Sequence, residues 1–149
     1  MTEETLSLSK RLVAFMGFRF VNGMRLYKNI RYIRILKIYA GSMSYCYDEL
    51  DSEIKLINLD DCYPDLEDPA TLGCIAKIVQ ELWGECAHLD SVVGSAHWVV
   101  DGVHSQRNYG ERIHRGYSIG MGYSLTPQEA LVNAIDSYDN LERCFPRII

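Results

Sequence analysis

The chain has 149 residues, of which 48% are hydrophobic and 23% are charged, with a formal net charge of −5. This composition excludes a disordered chain, and the length suits a single globular domain over residues 1–149. The acidic balance disfavours general affinity for nucleic acid.

The cysteines and the N-terminus indicate the compartment. The chain has five cysteines, an odd number, and none of them forms a CxxC pair. A disulfide framework is therefore not expected, which favours a reducing environment. The first residues, MTEET, lack the basic flank and apolar core of a signal peptide, and no apolar run approaches the ~18 residues of a membrane span. We expect a cytoplasmic protein.

The N-terminal quarter of the sequence predicts a helix followed by a β-hairpin. Apolar residues at helical spacing predict a helix over residues 5–16. Asn22-Gly23 is a favoured two-residue hairpin loop, so residues 18–21 and 24–27 would be the paired strands.

A second strand and an acidic connection are expected to follow. Frequent Ile and Tyr predict a strand over residues 31–39, after a turn near Lys28-Asn29. Residues 41–47 are either a loop or a short strand. Residues 48–68 carry nine acidic residues and one basic residue. Within them Ile54, Leu56, Ile57 and Leu59 suggest a brief apolar run, and we expect the rest to be an extended connection.

The clearest element is a helix over residues 68–84. Asp68 is a suitable N-cap, Pro69 suits the first helical position, and Gly84 suits the position just after the helix. One apolar stripe at helical spacing predicts the buried side of this helix: Leu72, Ile75, Ala76, Val79, Leu82 and Trp83.

The C-terminal third predicts two strands and a helix. Residues 96–100 and 117–124 read as strands, with a hairpin signal at Asp101-Gly102 and a polar loop over residues 104–116. Thr126, Pro127 and Glu129 form a capping-box sequence that begins a helix over residues 127–141. We therefore expect an α+β fold: one compact domain in which a short antiparallel sheet packs with about three helices.

Three segments resemble parts of small proteins of phages and prophages. The segment DPATLGCIAKIVQELWG, entered through YPDLEDPAT, resembles their DPATxGC-type helix. The stretch GFRFVNGMRL and the closing TPQEALVNAI unit are similar to the same group, and a strand followed by TPQEAL is also similar to antitoxin domains of the HicB type. The resemblance implies a phage-borne origin, and with it the cytoplasm of a bacterial host. It also implies a compact α+β fold, an anti-defence or anti-CRISPR-like role, and no catalytic motif.

No pattern in the sequence indicates catalysis, a metal or a cofactor. Cys86 and the histidines lack the paired spacing of zinc sites. Ser105, His104 and Asp101 lie close in sequence, but no GxSxG elbow accompanies them. We expect no catalytic residue, no bound metal and no cofactor; an enzyme is the less favoured class.

A basic strand is the first candidate site. Basic residues recur at every third position from 25 to 37, interleaved with tyrosines, a pattern that suits phosphate contact and base stacking. The candidate residues for binding a small ligand or nucleic acid, including those of the loop 104–115, are Arg31, Arg34, Lys37, Arg107 and Arg112. The alternative is that the acidic stretch lies beside the basic strand and neutralises it.

The acidic stretch is the second candidate site. Clustered carboxylates can imitate the phosphates of a nucleic acid and occupy a basic channel on another protein. The candidate partner-binding residues are Asp60, Asp61, Tyr63, Asp65 and Glu67. The alternative is a solvated linker.

The favoured function is a non-enzymatic, phage-encoded interaction protein that inhibits a host protein of antiviral immunity, such as a CRISPR effector. The alternative is a domain that binds a small ligand or nucleic acid through residues 25–37 and the loop 104–115. No membrane partner is expected, nucleic acid is disfavoured, and a homodimer is left open.

Overall fold

The computed structural model describes residues 1–84, 87–91, 98–101 and 122–144. The chain divides into two units. The first contains Met1–Val13 and Arg19–Cys74, and the second contains Ala14–Phe18 and Ile75–Ile149. Three helices lie in the described residues: α1 (Glu3–Val13), α2 (Pro69–Trp83) and α3 (Pro127–Cys144). With the antiparallel sheets described below, they confirm the predicted α+β class. The prediction of a single domain stays a prediction.

The first unit contains a five-stranded antiparallel sheet. The order of its strands across the sheet is β4-β3-β2-β1-β5. The bounds of the strands are β1 Arg25–Lys28, β2 Arg31–Ala40, β3 Met43–Asp48, β4 Glu53–Asn58 and β5 Tyr63–Pro64. The strand predicted over residues 31–39 is confirmed as β2.

The two faces of this sheet differ in exposure. The buried face carries fully or almost fully buried side chains from three adjacent strands: Leu26, Ile33, Ile35, Ser44 and Cys46. Cross-strand pairs Leu26↔Ile33 and Ile35↔Cys46 bring these side chains together. The opposite face, which we call the open face, carries the residues that alternate with them.

The turn between β1 and β2 is Asn29-Ile30, in agreement with the turn predicted near Lys28-Asn29. Asn29 and Ile30 have φ angles of 50° and 65°, and positive φ at both central positions is typical of a type I′ hairpin turn. The predicted hairpin at Asn22-Gly23 is wrong, because residues 18–21 form no strand. Instead, the Gly23 N–H donates to the Ile35 carbonyl (2.8 Å), so the chain enters β1 beside β2.

Two strands occupy stretches that the sequence left irregular. Residues 41–47, predicted as a loop or a short strand, contain β3. The extended connection predicted around the apolar run of residues 48–68 is wrong at Glu53, Lys55 and Asn58. These residues and Ile54, Leu56 and Ile57 of the run form β4, which pairs with β3 along its whole length. The tight turn between them depends on Asp48, whose Oδ1 accepts the N–H groups of Leu50 (3.0 Å) and Asp51 (3.3 Å).

Helix α2 begins and ends as the sequence predicts. Asp68 caps it: its Oδ2 accepts the Thr71 N–H (3.0 Å). Gly84 follows the helix with a φ of 123°, a conformation that side chains disfavour. Of the predicted stripe, Ile75, Val79 and Trp83 are buried.

The second unit contains a three-stranded antiparallel sheet and helix α3. The strands lie in the order β6 (His88–Ser91), β7 (Trp98–Asp101) and β8 (Gly122–Ser124). Strand β6 was not predicted. The strands predicted over residues 96–100 and 117–124 are confirmed where they are described. The hairpin predicted at Asp101-Gly102 and the loop 104–116 lie outside the described residues.

Helix α3 supplies much of the core of this unit. Thr126 caps it through a bond from the Glu129 N–H to Oγ1 (3.2 Å). The core side chains of α3 are Ala130, Leu131, Val132, Ala134 and Ile135. Asp139, which is 1% exposed, accepts the N–H groups of Met16 (2.7 Å) and Gly17 (3.0 Å).

Across the residues that the structure describes, no helix has the length and apolarity to cross a membrane.

Trp83 is expected to be a major stabilising residue of the second unit. Its indole N–H donates to the Ala134 carbonyl (2.9 Å), its ring meets Tyr138 edge-on at 5.7 Å, and it is 4% exposed. Trp83→Ala should lower the free energy of unfolding by ~3–5 kcal/mol, because it leaves a large cavity. Urea titration checks this, with Trp83→Phe as a control that keeps a ring. A loss below ~1 kcal/mol would contradict the assignment.

Ile30 is expected to be a strained residue. A β-branched residue rarely takes positive φ, and Ile30 is 86% exposed, so contacts do not compensate for the strain. Ile30→Gly should therefore raise the free energy of unfolding by ~1 kcal/mol. Asn29→Gly is the matched control and should change it little, because Asn tolerates this conformation. If Ile30→Gly destabilises the protein in the same titration, the strain is not there.

Candidate interaction surface

Arg25 is held between two acidic residues and a tyrosine. Its Nε donates to Glu49 Oε2 (2.6 Å) and its Nη1 to Asp65 Oδ2 (2.8 Å). The guanidinium lies 3.8 Å from the centre of the Tyr32 ring. These bonds, those to Glu49 most strongly, raise the pKa of Arg25 above its usual value. All three nitrogens of the Arg25 guanidinium therefore donate to carboxylates of the same chain.

Arg31 and Lys55 share two carboxylates near the turn between β3 and β4. Arg31 Nη1 donates to Asp48 Oδ2 (2.9 Å) and to Asp51 Oδ2 (3.0 Å). Lys55 Nζ contacts the same two oxygens. Asp48 is only 2% exposed, so its charge depends on these cations.

The pKa of Asp48 reflects this pairing. Burial alone would raise the pKa, but the bonds from Lys55, from two backbone amides and from Arg31 lower it to about 2. The bonds from Lys55 and Arg31 also lower the pKa of Asp51. Both residues therefore stay ionised well into the acid range.

Arg34 joins β2 to the start of α2. Its two terminal nitrogens each donate to one oxygen of Asp68 at 3.1 Å, and Nη1 also donates to the Gly23 carbonyl (2.9 Å). Asp68 therefore serves as both helix cap and ion-pair partner. Burial would raise its pKa, but the bonds from Arg34 and Thr71 lower it.

The structure thus brings the basic strand and the acidic stretch together, as the alternative of intramolecular neutralisation predicts. Of the basic candidates, Arg31 and Arg34 are paired with carboxylates. Lys37 is exposed, and no acid in the described residues forms an ion pair with it. Arg107 and Arg112 lie outside the described residues, as does the loop 104–115.

The acidic candidates are divided by burial. Asp60 and Asp61 are exposed. Glu67 is partly exposed and accepts the Thr2 N–H (3.2 Å). Tyr63 is half-buried, with Lys10 Nζ 5.5 Å from its ring centre. Asp65 departs from the expected exposed patch, because it is 2% exposed and bound to Arg25.

The open face carries apolar side chains at its β4 end. Tyr45 pairs with Leu56 and Tyr47 with Ile54 across β3 and β4, and the rings of Tyr39 and Tyr45 meet edge-on at 5.7 Å. All five side chains are exposed, Ile54 by 65% and Leu56 by 49%. We call them the outer patch: Tyr39, Tyr45, Tyr47, Ile54 and Leu56.

Sequence analysis did not predict the outer patch, although the alternation of residues in β3 indicates it. In β3, Ser44, Cys46 and Asp48 are buried while Tyr45 and Tyr47 alternate with them. This alternation is the period of a strand with two different faces. In β4 the sequence shows a brief apolar run, but not that this run pairs with β3.

Two buried cysteines have thiols whose pKa is raised. Burial raises the pKa of Cys62 to about 11 and also raises that of Cys46, so both thiols are protonated and unreactive near neutral pH. Within the described part of the chain, no three His, Cys, Asp or Glu side chains could together hold a metal ion. Cys86, His104 and Ser105 lie outside it.

Comparison of the chain with models of protein families, with curated proteins and with solved structures found no match.

The paired carboxylates should make stability depend on acid pH. A carboxylate whose pKa is lowered in the folded state stabilises that state above its unfolded pKa and loses this effect as pH falls through the folded pKa. For Asp48 the window runs from 3.8 down to about 2. Asp51 and Asp68 act in the same direction. The midpoint of urea unfolding should therefore fall across this range.

Asp48→Asn should lower stability near neutral pH and reduce this acid dependence. Asp60→Asn, which removes an exposed charge outside the network, controls for the loss of one negative charge. An unchanged slope in the Asp48 variant, measured by urea titration at several pH values, would contradict the role given to Asp48.

Proposed function

We propose that this chain is a non-enzymatic interaction protein that binds a partner protein through the outer patch. The observation that carries the proposal is the contiguous set of five exposed aromatic and aliphatic side chains on the open face. Large exposed apolar patches are uncommon on monomeric proteins and mark interaction sites. Tyrosine is also enriched at the centres of interfaces.

The position of β4 supports a protein as the partner. Strand β4 lies at the edge of the sheet, so one side of its backbone is unpaired within the sheet. A partner strand can pair with such an edge and place its side chains against Ile54 and Leu56. The apolar patch and the open edge together suit an extended segment of another protein.

The exposed acids give this partner a preferred charge. Asp60, Asp61 and Glu67 stay at the surface, and the whole chain has a net charge of −5. Such charges speed the approach of a basic partner more than they strengthen the final complex. The partner-binding role predicted for these residues therefore becomes one of steering, with the outer patch supplying the contact.

The finer proposal is that the partner is a host protein of antiviral immunity, such as a CRISPR effector. What supports it is the resemblance of the α2 segment and the closing TPQEAL unit to proteins of phages and prophages. A nucleic-acid-binding effector also has the basic surface that an acidic protein attracts.

Nucleic acid is the rival ligand, and the ion pairs oppose it. Arg25 and Arg34 would have to leave carboxylates at 2.6–3.1 Å to turn their terminal nitrogens toward phosphates. Saturable binding of an oligonucleotide at low salt would favour the rival.

The test places a photo-crosslinking residue at Tyr47 in cells and then measures binding of the captured protein by the purified chain. The Ile54→Lys/Leu56→Ser double variant should weaken that binding by about tenfold or more. Its free energy of unfolding should stay within ~0.5 kcal/mol of wild type, because both residues are exposed. Leu125→Ser is the matched control, since Leu125 is a 64% exposed leucine outside the patch.

Three results would contradict the proposal. One is equal binding by the double variant and the wild type. Another is an equal loss in the Leu125 control. A third is a homodimer, seen by light scattering, that the double variant converts to a monomer; the outer patch would then bind a second copy.

The proposal that the partner is a CRISPR effector has its own test. Wild type should restore phage plaques on a CRISPR-defended host, and the double variant should not.

A further inference from the structure

The buried face of the five-stranded sheet opens into a cleft at its β4 end. The cleft has a volume of about 380 Å³ and lies between the β1–β2 turn and β4. This volume suits a small molecule. The side chains that matter here are three cations, one carboxylate and two isoleucines: Lys28, Arg31, Lys55, Asp48, Ile33 and Ile57.

The cations of the cleft retain unused donors. Arg31 donates to Asp48 and Asp51 through Nη1 alone. Its Nε–H and both N–H groups of Nη2 have no acceptor among the described residues. Lys28 donates to the carbonyls of Asn58 (2.7 Å) and Asp60 (3.1 Å), which leaves one of its three N–H groups. Lys55 likewise keeps one beyond its bonds to Asp48 and Asp51.

The local charge is opposite to that of the protein. Among the lining residues, three cations face one carboxylate, and including Asp51 still leaves one positive charge in excess. The chain as a whole carries −5. A small positive cleft in an acidic protein favours an anionic ligand, and the free edge of a guanidinium matches two oxygens of a phosphate.

The turn beside the cleft is held in a strained conformation. Asn29 lines the cleft, and Ile30 next to it has a φ of 65°. Strained backbone of this kind is concentrated at ligand sites. The turn also fixes the spacing of Lys28 and Arg31, which are directly paired across β1 and β2.

From these observations we propose that the cleft binds a small phosphorylated molecule. Arg31, Lys28 and Lys55 hold the phosphate, and Ile33 and Ile57 contact the uncharged part. The cations of this site lie on the buried face, and Leu56 is the residue that the lining of the cleft shares with the outer patch.

The test is isothermal titration of the full chain with phenyl phosphate, with phenol as the uncharged control and benzoate as the carboxylate comparison. Phenyl phosphate should bind saturably with one site per chain, and phenol should not bind. Arg31→Lys keeps a cation beside Asp48 but loses the two-pronged donor edge, so it should weaken binding by about tenfold or more. Lys28→Met is a second variant that leaves the Arg31 ion pairs in place, and it should also weaken binding.

Lys37→Met is the matched control, because Lys37 is an exposed cation of the same strand that pairs with Tyr45 on the open face. It should bind phenyl phosphate as wild type does. Circular dichroism melting confirms that each variant folds. The proposal is overturned by no saturable binding to wild type, by benzoate binding as tightly as phenyl phosphate, or by an equal loss of affinity in the Lys37 variant.

Discussion

The rest of the first unit depends on ion pairs between the arginines of β1 and β2 and carboxylates that lie from the end of β3 to the start of α2. Asp48 and Asp65 are almost fully buried, and a buried charge is costly unless a partner compensates it. Arg31 and Arg25 supply that compensation at 2.9 and 2.8 Å. The pairs therefore fix the turn after β3 and the entry to α2 against the sheet. The terminal nitrogens of Arg25 and Arg34 are thereby occupied and are not available to a nucleic acid.

The three-residue spacing of the basic residues has a structural explanation. Arg25 and Arg34 are cross-strand partners, and so are Lys28 and Arg31, so each pair shares one face of the sheet. A bulge between Ile35 and Lys37 then shifts the alternation, and Lys37 returns to the open face. Because of the hairpin and the bulge, basic residues spaced three apart in sequence lie on both faces of the sheet. The three-residue spacing matched neither a helix nor a regular strand because residues 25–37 contain both a hairpin turn and a bulge.

What the sequence predicted well was local. The caps at Asp68 and Thr126 act within a single turn of helix, so neighbouring residues were enough to place α2 and α3. What it predicted poorly depended on partners distant in sequence. Asn22-Gly23 has the strongest hairpin signal, but residues 18–21 form no strand. The hairpin of β1 and β2 lies instead at Asn29-Ile30, beside the turn predicted near Lys28-Asn29.

The same reason explains the candidate sites. The mutual neutralisation of basic and acidic stretches was visible in the sequence as an alternative, because opposite charges close in the chain tend to meet. Which acid pairs with which arginine was not visible, since that depends on sheet register. The outer patch was missed because Ile54 and Leu56 lie outward only once β4 is paired with β3.

Strand β4 links the two proposed sites through its register. Ile54 and Leu56 lie on the open face, while Lys55 and Ile57 line the cleft on the buried face. A slip of one residue against β3 would exchange the two sets. It would also move the ammonium of Lys55 away from Asp48, a buried carboxylate that needs it. The ion pair therefore does more than neutralise charge: it selects the register that keeps an apolar docking face and a cationic cleft on opposite sides of one strand.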